Sequence, residues 1–104
     1  MEKYSKYGKL TALDGHGKTL LSLLLEASEE LKAVASCDCY IVGMNEEEPN
    51  AVYVFEVWEN KAAHEASLTL DVVRNLIGQA MPILDLSVHS HYPELIIYGG
   101  KATL

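Results

Sequence analysis

Residues Ala51 to Leu68, AVYVFEVWENKAAHEASL, constrain the fold more than any other stretch. Val52, Val54, Glu56 and Trp58 fall on one face of a strand, and Tyr53, Phe55 and Val57 on the other. Both faces are rich in β-branched and aromatic side chains, which predicts a central strand over Ala51–Glu59 rather than an edge. Asn60 then caps a helix over Lys61–Ser67, built mostly from good helix formers. The chain's only Trp ends the strand and His64 follows on the helix, so an indole and an imidazole meet at a strand-to-helix corner.

Around this unit the periodicities set an order. Tyr4–Leu13 alternates as a first strand, and Asp14-Gly15-His16-Gly17 is a turn. Lys18–Val34 carries a helical stripe of Leu20, Leu24, Ala27, Leu31 and Val34. Cys37–Met44 reads as a second strand, followed by an acidic loop with the solvated run Glu46-Glu47-Glu48. Leu70–Met81 repeats with helical period until Pro82, and Leu86–Tyr92 and Leu95–Tyr98 are strand-like. The order β-α-β-β-α-α-β predicts an α+β, ferredoxin-like β-α-β-β-α-β fold with a split second helix and an antiparallel four-stranded sheet. Helices cover only one face of such a sheet, so the apolar second face calls for a partner.

At 104 residues with 49% hydrophobic content, one domain spanning 1–104 is expected. Fifteen acidic against eight basic side chains leave a net charge of −7, which argues against a nucleic-acid surface. No stretch is long and apolar enough to span a bilayer, and the N-terminus lacks an apolar signal core, so the expected location is cytoplasmic. Cys37 and Cys39 share a strand face with Cβ atoms roughly 6–7 Å apart, beyond the about 3.5–4.5 Å of a disulfide. Reduced thiols are expected.

Several signals could carry chemistry. Gly17-Lys18-Thr19 lacks the first glycine of a phosphate-binding loop, because position 12 is Ala12; it reads as a tight turn entering a helix. No G-x-G-x-x-G indicates a nucleotide site. His89 and His91 point the same way on the expected strand, either as half of a metal site without a third ligand or as polar surface positions. Arg74, the only arginine, either neutralises a substrate oxygen or pairs with Asp71 one turn back.

At Val52–His64, VYVFEVWENKAAH, the chain resembles the antibiotic biosynthesis monooxygenase family, whose most recognisable stretch is a similar Glu-x-Trp-x-x-x-x-Ala-His following a strand. The opening strand, the long first helix, the Cys37-Asp38-Cys39-Tyr40 region and the closing Gly99-Gly100-Lys101 are similar in outline. The resemblance implies a homodimeric α+β barrel joined through sheet faces. It also implies a monooxygenase acting with O2 on a quinol or polycyclic phenol, with no metal, flavin or other cofactor. Of the residues that contact substrate in the quinone-forming branch, Trp58 matches a Trp. Val54 occupies the place of an Asn, His64 that of a Tyr, and Arg74 that of a nearby Arg. The haem-degrading branch's Asn, Trp and His are not matched, since those positions hold Gly8, Ser67 and Ile77. His64 and Trp58 are therefore the candidate catalytic pair, with Arg74 and Val54 as candidate substrate contacts. His64 can accept a proton near neutral pH and Trp58 can stack on a flat ring. Read as structure alone, Trp58 is a packing anchor and His64 a surface-leaning helix residue. The rival functional reading is a non-catalytic barrel that binds a small hydrophobic metabolite.

Overall fold

A computed structural model describes residues 2–102. It contains β1 (Lys3–Thr11), α1 (Gly17–Leu31), β2 (Cys37–Gly43), β3 (Ala51–Trp58), α2 (Lys61–Ser67), α3 (Asp71–Ala80) and β4 (Leu95–Ile97), with a 3-10 turn at Met81–Ile83. The four strands form one antiparallel sheet in the order β2-β3-β1-β4, the ferredoxin-like arrangement with a split second helix. β3 is central, as its two-sided apolar character requires. It pairs with β1 from Trp58 opposite Tyr4 to Ala51 opposite Thr11, and with β2 on its other edge.

The helix-covered face holds two separate core clusters. Tyr4, Leu31, Trp58 and Val73 form one; Ala12, Leu20 and Val52 form the other. α1 runs past both, placing Leu20 at the second and Leu31 at the first. α3 spans them as well, from Val73 to Ala80. Gly17 explains the tight entry into α1: a Cβ there would lie 2.0 Å from the Pro49 carbonyl oxygen. The Gly-Lys-Thr step is therefore a close approach of two backbones, a place only glycine fills.

The opposite face carries Tyr7, Ile41, Tyr53 and Phe55. Tyr7 packs edge-on against Tyr92 at 4.9 Å and lies 6.3 Å from Tyr53, but Tyr7 and Ile41 remain exposed. Glu48, expected to be a solvated loop residue, instead anchors its loop onto this face. The Tyr53 hydroxyl donates to it at 2.5 Å and Lys9 pairs with it.

Two expectations are corrected. Leu86–Tyr92 is not a strand, so His89 and His91 do not share a strand face; both are exposed in irregular chain. Asp85 starts a turn there, its carboxylate accepting from the Ser87 backbone N–H and hydroxyl while its carbonyl accepts from Val88. This local bonding competes with sheet pairing. Cys37 and Cys39 do not share a face either. A register shift between them sets Cys37 opposite Trp58 and Cys39 opposite Val57, as a β-bulge does. Both thiols are free, and burial pushes Cys37 up to about 11.

Candidate functional site

Between the two core clusters lies a partly open cavity of about 280 Å³, bounded by the helix-covered face of the sheet, α1, α2 and α3. Alternation along β3 aims both Glu56 and Trp58 into it. Trp58 is fully buried, and its indole N–H donates to Glu56 Oε1 at 3.1 Å. The Asn60 side chain accepts the Ala63 N–H at 2.8 Å, which fixes the start of α2 one turn before His64. His64 is thereby carried over the sheet, where its ring meets Trp58 edge-on at 5.6 Å and Tyr4 at 5.7 Å. Its Nε2 stands 3.8 Å from the same Glu56 oxygen. Ser67 donates its hydroxyl to the His64 carbonyl at 2.6 Å, tightening the helix beneath the ring.

The electrostatics follow from burial. Desolvation raises the Glu56 carboxyl above the ordinary carboxylate range, and the Trp58 N–H and Lys6 only partly oppose it. Desolvation lowers the His64 imidazole, and Lys6 pushes it the same way. Burial thus strengthens Glu56 as a proton acceptor and favours the neutral imidazole at His64. Tyr40, opposite Glu56 on β2, is raised by burial and by the Glu56 charge, so its hydroxyl stays protonated. The arrangement offers a proton acceptor, a neutral imidazole and a phenolic donor at one end of an apolar chamber.

Of the residues singled out from sequence, the fold brings Trp58 and His64 together in the cavity wall. His64 is buried rather than surface-leaning. Val54 is buried on the same strand face but does not line the cavity. Arg74 is exposed on the outer side of α3, lines no part of the cavity and makes no ion pair with Asp71. Among the described residues, no three His, Cys, Asp or Glu side chains converge as a metal site would need. Sequence reasoning missed Glu56 and Tyr40. The signal for Glu56 was present: a lone carboxylate, two residues before Trp58, on an otherwise apolar strand face. Tyr40 needed the register of β2 against β3, which the bulge at Cys37–Cys39 shifts.

The sequence model of the antibiotic biosynthesis monooxygenases matches residues 4–78, from the first strand to late in α3. The chain belongs to the antibiotic biosynthesis monooxygenase family. The match supports a monooxygenase-type function for this family member. Among solved structures, it is similar to a Chloroflexus aurantiacus protein assigned to the antibiotic biosynthesis monooxygenases, at 27% identity and a TM-score of 0.83, covering 96% of this chain and 97% of that one. A Deinococcus radiodurans protein with the same assignment is 21% identical with a TM-score of 0.70, covering 99% and 96%. A conserved protein from Methanosarcina mazei Go1 is 15% identical with a TM-score of 0.72, covering 93% and 91%. The last two likenesses establish fold alone. No curated protein sequence matches the chain at a significant level. No helix among the described residues is long and apolar enough to cross a membrane.

Proposed function

We propose that this family member is a monooxygenase that oxidises a quinol or other hydroxylated aromatic compound with O2, without a metal or flavin. One observation carries the reading: Glu56, Trp58 and His64 converge at the polar end of an otherwise apolar cavity. An aromatic hydroxyl placed there gives its proton to Glu56, with His64 as the second acceptor. The 3.8 Å gap between Glu56 and His64 is of the kind that tightens or takes a bridging donor when substrate binds. The resulting phenolate is electron-rich enough to pass one electron to O2, and the two radicals join at a ring carbon as a peroxide. Loss of that carbon's proton and cleavage of the O–O bond leave a carbonyl on the ring and release water. A phenol and O2 thus become a quinone and water, with one oxygen atom in each product. The apolar walls exclude bulk water, and the edge of Trp58 fixes the ring plane.

A non-catalytic barrel that holds a hydrophobic metabolite is the second reading, favoured by the apolar majority of the lining. Oxygen uptake and 18O2 labelling separate the two. The enzyme reading expects quinol-dependent uptake with one labelled atom in the quinone. Uptake no faster than the protein-free rate, alongside saturable binding, selects the second reading.

The active unit in this proposal is a homodimer joined through the open sheet face. Tyr7, Ile41, Tyr53 and Phe55 form an apolar patch on that face, and Leu95, opposite Ser5, extends it at the β4 edge. Val57 is already buried within the chain and adds little. A stable, folded monomer in sedimentation at low micromolar concentration overturns the dimer.

A further inference from the structure

The cavity's lining is drawn out along α1 and polarised from one end to the other. Along α1 its wall runs from Leu23 through Ala27 to Leu31, eight helical steps that span roughly 12 Å. All its titratable or hydroxylated groups sit towards the Trp58 cluster: Tyr40, Glu56, His64 and Ser67. The other end, against the Leu20–Val52 cluster, is made by Leu10, Leu24, Ala80, Met81 and Leu84, with no polar side chain. No Lys or Arg side chain lines the cavity at either end.

We infer that the ligand is an uncharged amphiphile: a hydroxylated ring carrying a straight apolar chain of about six carbons, bound with its hydroxyl at Glu56 and its chain towards Leu84. The inference rests on the hydroxyaromatic reading of the site and adds the class of compound. Size sets the chain length. An apolar cavity of about 150 Å³ holds one benzene ring, so about 280 Å³ admits one ring and about one further ring's worth of carbon. Volume alone would also admit two fused rings. A slot roughly 12 Å long with all its polar groups at one end favours ring plus chain, because a fused bicycle fills the polar half and leaves the apolar half empty. Charge sets the head group. An anionic head would enter a largely apolar site that contains the Glu56 carboxyl and no Lys or Arg, so a fatty acid or an aryl carboxylate is disfavoured.

The test uses the full chain and a series of 4-alkylphenols from phenol to octylphenol, measured without oxygen. Trp58 is the only Trp and forms part of the cavity wall, so its fluorescence reports occupancy directly. Kd should fall by about fourfold per methylene up to about six carbons and then level off. The 4-alkylbenzoates of matching length should bind at least tenfold more weakly at pH 7. Ala80→Phe, which fills the apolar end, should stop the gain after two or three carbons while leaving phenol itself unchanged. Leu84→Ala, which enlarges that end, should move the plateau to longer chains if the Phe variant does not fold. A Kd independent of chain length, or benzoates that bind as well as phenols, overturns the inference. Chain-length dependence without oxygen uptake leaves the ligand class standing and removes the oxygenase reading. Oxygen uptake without chain-length dependence does the reverse.

Discussion

The two ends of the helix-covered core are built by the same sheet and the same two long helices, yet they differ in kind. At the Val52 end, Ala12, Leu20 and Val52 are nearly or wholly inaccessible and no ionisable group intrudes. At the Trp58 end an equally buried indole is bonded to a carboxylate, and a buried imidazole sits beside both. Burying a carboxylate in a small domain is costly unless it is bonded or neutralised. Here it receives one N–H bond and keeps a raised affinity for its proton. No side-chain polar atom buried among the described residues lacks a partner, so the desolvated groups are held rather than abandoned. Under the proposed function the contrast puts stability at the Val52 end and chemistry at the Trp58 end, a division that substitution at each end can break.

The largest effect is expected at Glu56. Glu56→Gln keeps the shape and an oxygen to accept the Trp58 N–H but cannot take a proton. Turnover should fall by about 10²–10⁴-fold, the usual worth of one general base, with KM little changed. Thermal stability should hold or rise slightly, because a desolvated carboxyl is removed. Oxygen-uptake kinetics beside melting curves check both parts; a variant that melts much earlier and retains its rate would make Glu56 a structural residue.

Leu20→Ala probes the other end. Leu20 is wholly buried and does not line the cavity. Its truncation should cost about 3–5 kcal/mol, the range for a buried Leu that leaves a void. In a chain of this size that lowers Tm by well over 10 °C, at roughly 4–8 °C per kcal/mol. The rate measured below the new Tm should stay within a few-fold of wild type. Loss of activity in a still-folded Leu20→Ala protein would end the division of labour.

The pH dependence of stability sharpens the comparison further, because only the Trp58 end titrates. Glu56 has a folded-state pKa above its ordinary value of 4.5. The folded state therefore binds the extra proton, and stability falls as pH rises from about 4.5 through the folded pKa. His64 has a folded-state pKa below its ordinary value of 6.5. The unfolded state binds the extra proton there, so stability is lost as pH falls below about 6.5. The two contributions have opposite signs, so in wild type the Glu56 shift offsets part of what the His64 shift costs as pH falls. In Glu56→Gln the opposing Glu56 contribution is gone. Its stability should drop more steeply from pH 6.5 downward, by at most about 1.4 kcal/mol per pH unit for one proton. Melts of both proteins at several pH values decide it, and parallel curves would show that Glu56 is not coupled to folding.

How far the sequence foretold this molecule depends on whether a feature is local. The strands β1 to β3, both halves of the split helix and the cap at Asn60 were legible because periodicity and capping are written in adjacent residues. Trp58 and His64 were legible as neighbours because one strand and one short helix connect them. The Glu56 contact was half legible: alternation put it on the Trp58 face, but only the tertiary packing of α2 brings His64 to it. Leu86–Tyr92 misled because its Leu, Val and Tyr alternate like a strand. The Asp85 turn, which prevents pairing, depends on two side-chain hydrogen bonds that a hydropathy pattern does not register. A pocket at the Trp58–His64 corner was legible, but its extension between the two core clusters was not, because the apolar residues that line that part read from sequence simply as core.

The smallest effect is expected at Arg74, and a null result there is informative. As the only arginine, it was the natural candidate to hold an anionic substrate oxygen. Its side chain is exposed on α3, outside the cavity, and has no carboxylate partner among the described residues. Leu76 and Val73, on the opposite side of the same helix, take the inward positions. For Arg74 to reach the ligand, α3 would have to rotate by about half a turn, which would expose both of those side chains. Burying each such side chain stabilises the fold by about 1.5–3 kcal/mol, and a single ion pair at an exposed site returns at most about 1 kcal/mol. Arg74→Ala should therefore leave Tm within the roughly 0.5 kcal/mol typical of surface substitutions and leave kcat and KM for a quinol unchanged. A tenfold rise in KM with kcat preserved would place Arg74 in substrate binding. It would mean that α3 turns on binding, and with it that the cavity described here is not the one the ligand fills.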